Sequence, residues 1–140
     1  MKAIYEATAT AEGGREGRVH SSTDRIDLKL TPPKEMGGSG VGSNPEELFA
    51  AGYSACFHGA MKFVAGPKHL DTSGSSVEGH VAIGENDKGP GFMIAVRHIV
   101  RLPKLPQAEA EALVAEAHTV CPYSNATRGN IAVDFEVHGA

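Results

Sequence analysis

Cys56 and Cys121 are the only cysteines in the sequence, and thiol chemistry is the first chemistry it offers. A thiolate can attack an electrophile, exchange with a disulfide or ligate a metal. The two stand 65 positions apart and form no Cys-x-x-Cys pair, so no local redox motif is present. Each falls on the apolar side of an expected helix, where free cysteine also serves as a small buried hydrophobe; spacing alone leaves both readings open. Arg15 sits in a glycine-flanked turn and Glu46 in the first turn of a helix. Their local patterns read as an exposed loop arginine and as a complement to the positive helix end. Asp24, Arg25 and Asp27 read as a solvated strand face. Cys56 and His58, and His118 with Cys121, raise the question of zinc. Such a site needs four convergent ligands, and residues i and i+2 on a helix point about 160° apart. The remaining five histidines show no ligand spacing, and no metal is expected.

The elements that must carry these residues follow from patterning. Residues 2–10 are predicted to form a strand, 11–17 a turn holding three glycines, and 18–21 a return strand. Ile26, Leu28 and Leu30 alternate with charged residues over 25–30, and Pro32-Pro33 stops that strand. After a glycine-rich loop at 37–43, Asn44 is placed to cap a helix, Pro45 suits its first position, and Glu47 completes an Asn-x-x-Glu box. This helix is predicted to reach about residue 65, where Gly66-Pro67 ends it. Gly52, Gly59 and Gly66 recur every seven residues on it, and Phe49, Cys56 and Phe63 form a second row. A row of glycines at ~1 kcal/mol each points to close packing of another backbone. A helix apolar over so much of its surface belongs in a core or a dimer interface.

Beyond it, 77–83 and 92–102 alternate as strands around a turn at 85–91. Residues 107 to about 120 form a second helix broken by Pro122, 123–129 a loop, and 131–137 a final strand. The order β-β-β-α-β-β-α-β is α+β.

Composition sets the outer bounds. One domain over 1–140 with a sizeable core is expected, at 41% apolar residues. A net charge of -4 and the absence of basic runs argue against nucleic acid. The uncharged stretch 48–61 is too short to span a bilayer, and the N-terminus lacks the apolar core of a signal peptide. A cytoplasmic protein without a membrane anchor is expected, and in a reducing compartment a structural disulfide is not.

Two longer motifs carry a resemblance. Asn44-Pro45-Glu46-Glu47-Leu48-Phe49-Ala50-Ala51-Gly52-Tyr53-Ser54-Ala55-Cys56-Phe57 resembles the first cysteine motif of the organic hydroperoxide resistance (Ohr) proteins. Val120-Cys121-Pro122-Tyr123-Ser124-Asn125-Ala126-Thr127-Arg128-Gly129-Asn130-Ile131 resembles their second, and Gly13-Gly14-Arg15-Glu16-Gly17 also matches. These proteins belong with the osmotically inducible OsmC proteins. The resemblance implies an OsmC-like fold, with antiparallel sheets around a long central helix, in an intertwined homodimer with sites at the subunit boundary. It also implies a peroxidase acting in oxidative-stress defence. Cys56 matches the attacking thiolate, Cys121 the resolving thiol, Arg15 the arginine beside the reactive sulfur, and Glu46 the residue that holds that arginine. The implied substrates are fatty-acid, alkyl or aryl hydroperoxides, with Phe49, Tyr53, Phe57, Phe92 and Met93 as candidates to cover their apolar part. The implied reductant is a dithiol, a lipoyl group on a lipoylated protein, and no bound cofactor is required.

Overall fold

The computed structural model describes residues 1–140, which divide into two compact units, Met1–Leu48 and Phe49–Ala140. The first unit carries a three-stranded antiparallel sheet of β1 (Ala9–Glu12), β2 (Arg18–Ser21) and β3 (Asp27–Lys29), in that order. The first strand is shorter than the 2–10 predicted, and it is shifted toward the turn. Its partner β2 has only four residues, so the ladder runs from Ala9 opposite Ser21 to Glu12 opposite Arg18. Between β1 and β2 the chain makes a 3-10 turn at Gly14–Glu16. Gly17 closes it: a Cβ there would lie 1.7 Å from the Glu12 carbonyl oxygen, so only glycine lets the backbone double back this tightly.

Helix α1 (Pro45–Ala65) begins as the sequence predicts. The Asn44 side-chain oxygen accepts the Glu47 N–H at 2.9 Å, satisfying one of the free donors at the helix start. Farther along, Tyr53, Phe57, Met61, Val64 and Ala65 are buried, at spacings of four, four, three and one that keep them on one face.

In the second unit this face packs on a sheet of β4 (Ser76–Glu85), β5 (Phe92–Arg101) and β6 (Val133–His138), ordered β4-β5-β6. The alternation of Val77, Val81, Val96, His98 and Val100 sends one side of the sheet inward. Gly79 is where helix and strand come closest; a Cβ on it would lie 2.4 Å from Ser54 Oγ and 3.1 Å from the Ala50 carbonyl oxygen. The β4–β5 pair is antiparallel, whereas β6 joins β5 in parallel, with Phe135 opposite His98. The expected antiparallel pairing thus holds for β4–β5 and fails for β5–β6. A parallel partner needs a long crossover, and α2 (Gln107–Val120) with α3 (Pro122–Thr127) supplies it. The predicted loop at 123–129 is thus mostly helix. Leu113, Val114 and Ala117 of α2 complete the core.

Of the glycine row on α1, Gly52 faces the Tyr123 ring, whose hydroxyl would lie 3.2 Å from an added Cβ. Gly59 and Gly66 have nothing within 4 Å. Phe63, on the same open side, is 76% exposed. No helix is long and apolar enough to cross a membrane.

At the centre of the second unit lies His98, fully buried, with neither ring nitrogen hydrogen-bonded. It stacks on Phe57 at 5.4 Å and meets Tyr53 edge-on at 4.5 Å. Burial, with smaller contributions from His118 and His80, pushes its pKa from 6.5 down to about 4. Between these values an unfolded chain takes up a proton that the folded chain refuses, so stability falls as pH drops through this window. One such group accounts for up to about 3 kcal/mol. His98→Phe keeps the aromatic packing and removes the titration. Urea unfolding at pH 7 and at pH 4.5 should show the wild type losing about 2–3 kcal/mol more than the variant. Equal losses would remove His98 from the acid response.

Candidate active site

The fold of the second unit brings together the two cysteines that the sequence separates. Cys56 projects from α1 about three turns past its start, half-buried, while Cys121 is fully buried. Their sulfurs lie 3.6 Å apart, with the Cys121 thiol placed to donate to Cys56. Cys121 occupies a junction. Its N–H donates to the Ala117 carbonyl at 2.9 Å and closes α2, and its own carbonyl accepts the Asn125 N–H at 2.9 Å and opens α3. The residue itself is extended, at φ -63° and ψ 125°, so the chain turns between the two helices at the cysteine. Pro122 breaks α2, as its sequence position predicts. It also starts α3, since the first helical position needs no N–H donor.

Burial pushes the Cys56 thiol above its ordinary pKa; the backbone N–H of Tyr123 works against that, and Cys121 adds to the rise. The Tyr123 N–H is the donor that sequence reasoning missed. The signal for it was the same Pro122, whose place at the start of a helix aims the next N–H groups outward from the helix end.

In the first unit, Arg15 and Glu46 form a two-pronged pair across 31 positions. Nη1 donates to Oε2 at 2.8 Å and Nη2 to Oε1 at 2.6 Å. The Arg15 hydrogen bonds hold the Glu46 carboxyl below its usual range, against the effect of its partial burial. The pairing raises the arginine in turn. Glu46 is 14% exposed and Arg15 40%, so the carboxylate is the fixed anchor and the guanidinium keeps an open side. Glu47 keeps the capping role, through its N–H to Asn44.

The apolar candidates separate. Phe49 lines a cavity of about 380 Å³ with Ile94, Tyr123, Ala126, Thr127, Asn130 and Ile131. Tyr123 joins the two features, since its backbone N–H favours the Cys56 thiolate and the residue also lines the cavity. Tyr53 and Phe57 are fully buried in the core. Phe92 is 71% exposed at the start of β5, and Met93 lines a separate depression with Ile83 and Lys88. His58 bonds Ser75 Oγ at 2.9 Å through Nε2, so its ring is held toward the start of β4.

Comparison with known proteins gives this arrangement a lineage. Residues 37–136 match the family described as OsmC-like protein. The chain is 56% identical over 135 residues to an uncharacterized protein of Acinetobacter baylyi, covering 96% of this chain and 93% of that one. It is 52% identical over 134 residues to the organic hydroperoxide resistance protein of Xanthomonas axonopodis pv. citri, covering 94% and 93%. The crystal structure of an organic hydroperoxide resistance protein from Elizabethkingia anophelis, with crystallant-derived thiocyanate bound, matches at a TM-score of 0.93 and 42% identity, covering 100% of both chains. The chain belongs to the OsmC-like family, in its organic hydroperoxide resistance branch.

The difference in burial between the cysteines predicts their order of reaction. Brief treatment of the reduced, native protein with iodoacetamide should label Cys56 at least about tenfold faster than Cys121, because a reagent must reach the sulfur. Peptide mass mapping checks this, and equal labelling would contradict the burial of Cys121.

Proposed function

We propose that the chain is a thiol peroxidase that reduces organic hydroperoxides to alcohols in defence against oxidative stress. The observation that carries this reading is the pair of sulfurs 3.6 Å apart, one reachable and one fully buried. The Cys56 thiolate attacks a peroxide oxygen and the O–O bond breaks. The alcohol leaves with a proton, and Cys56 is left as a sulfenic acid. The names of the relatives in the organic hydroperoxide resistance branch support the choice of substrate. The apolar cavity beside Tyr123 supports it as well, since each buried CH₂ contributes about 0.8 kcal/mol to binding.

A thiol whose burial raises its pKa needs help to ionise near neutrality. Arg15, oriented by Glu46, is the cation this reading assigns to the thiolate and the peroxide, because a guanidinium stays protonated throughout the cycle. Cys121 resolves the sulfenic acid as a disulfide. A dithiol then reduces the disulfide by exchange; in this reading it is a lipoyl group on a lipoylated protein. The exposed Phe63 and the unfilled glycine positions of α1 support a homodimer, since a second copy can cover that side.

Stopped-flow oxidation of the reduced protein by an organic hydroperoxide and by hydrogen peroxide, with intact mass after each, tests the reading. The organic peroxide should react much faster, with loss of two hydrogens, and Cys56→Ser should abolish the reaction. Cys121→Ser should keep the first step and accumulate sulfinic acid; normal cycling of that variant with dihydrolipoamide would remove Cys121 from the resolving role. Arg15→Ala should slow the first step by about a hundredfold or more, comparable to losing a preorganised charge at a reacting centre. An unchanged rate would take Arg15 out of the mechanism.

A further inference from the structure

One buried hydrogen-bond chain joins α1, which carries Cys56, to α3, which follows Cys121, and the steps above make no use of it. Tyr53, fully buried on α1, places its hydroxyl 2.9 Å from Ser124 Oγ and 3.2 Å from Thr127 Oγ1. Both partners are on α3 and both are buried. The Thr127 hydroxyl also reaches the Tyr123 carbonyl at 2.9 Å. One proton assignment satisfies all the oxygens: Ser124 donates to Tyr53, Tyr53 to Thr127, and Thr127 to the Tyr123 carbonyl. Tyr53 is thus tied to the six-residue helix that Cys121 precedes and that carries the Tyr123 N–H. A helix this short has little stability of its own, so its position depends on such anchors.

We infer that Tyr53 is a positioning residue for the resolving step, holding α3 through Ser124 and Thr127 so that the Cys121 sulfur stays within reach of Cys56. The inference rests on the thiol peroxidase reading. In that step the Cys121 sulfur bonds to the Cys56 sulfur as the S–O bond of the sulfenic acid breaks. The hydroxyl leaves as water with the Cys121 thiol proton. The sulfurs must close from 3.6 Å to about 2.05 Å, a short movement that a drifting α3 would lengthen. The Tyr53 ring packs on His98 and Phe49 independently of its hydroxyl, so Tyr53→Phe removes the anchor and keeps the packing.

Stopped-flow kinetics with an organic hydroperoxide separates the two steps. In Tyr53→Phe the bimolecular oxidation of Cys56 should stay within about twofold of the wild type. The first-order disulfide step should slow about tenfold, the loss expected for one buried hydrogen bond. Sulfinic acid should accumulate under excess peroxide. Ser124→Ala removes the shorter of the two bonds and should shift the partition in the same direction. Thr127→Ser keeps the hydroxyl and should form the disulfide at the wild-type first-order rate. A thermal shift in Tyr53→Phe and Ser124→Ala with disulfide formation at the wild-type rate would overturn the inference, leaving Tyr53 a purely structural residue. A wild type that does not react with peroxide would instead overturn the reading on which the inference stands. If Tyr53→Phe does not fold, the Ser124→Ala partition decides alone.

Discussion

Two sulfur atoms 3.6 Å apart, on residues separated by 65 positions, require the end of one helix to be held against the middle of another. Most of the second unit answers that requirement. The buried face of α1 meets the inward side of the β4–β5–β6 sheet, and Gly79 lets the helix lie close enough for Ser54 and Ala50 to touch the strand. On the other flank, α2 packs Leu113, Val114 and Ala117 into the same core and delivers Cys121 at its end. The Arg128 guanidinium then bonds both the His118 carbonyl and Asn125, tying the last turn of α2 to α3. Several independent contacts thus converge on the geometry of one cysteine.

The chemistry of the site draws on a contrast between its two sulfurs. Burial raises the Cys56 thiol, which by itself favours the unreactive form. The Tyr123 N–H offsets part of this, as an oriented backbone dipole can. In the first unit, two hydrogen bonds fix the Arg15–Glu46 pair. Its carboxylate is mostly covered and its guanidinium partly open. An arginine fixed in this way gives up little further freedom when it takes on another partner.

Much of this was legible in the residues. The Asn44 cap, the length of α1, the alternation of β5 and the extent of α2 follow from local rules, and the structure agrees with them. The long motifs around Cys56 and Cys121 pointed to the family. What local rules could not see was set by partners far along the chain. The first strand is shorter than its pattern because β2 offers few positions to pair with. Helix α3 escaped notice because Pro122 ends one helix and begins the next, and sequence alone favours the first of these meanings. Tyr53 and Phe57 carry the same apolar signal as Phe49, yet they face the sheet, while Phe49 borders the cavity. All three share one helix face at spacings of four, so position along the helix, one turn nearer its start, decides between core and wall.

The parallel pairing of β6 with β5 has a consequence for how the molecule is made. Phe135 of β6 packs on Phe57, His98 and His118, so the last strand of the described chain braces residues from α1, β5 and α2 alike. During synthesis both cysteines and all three helices emerge before that strand does. The nascent chain therefore passes through an interval in which its thiols are present but the wall that orders them is not. A disulfide formed then would reflect chance encounter in a loose chain, and the redox state of the surrounding medium would decide whether the finished molecule starts with free thiols.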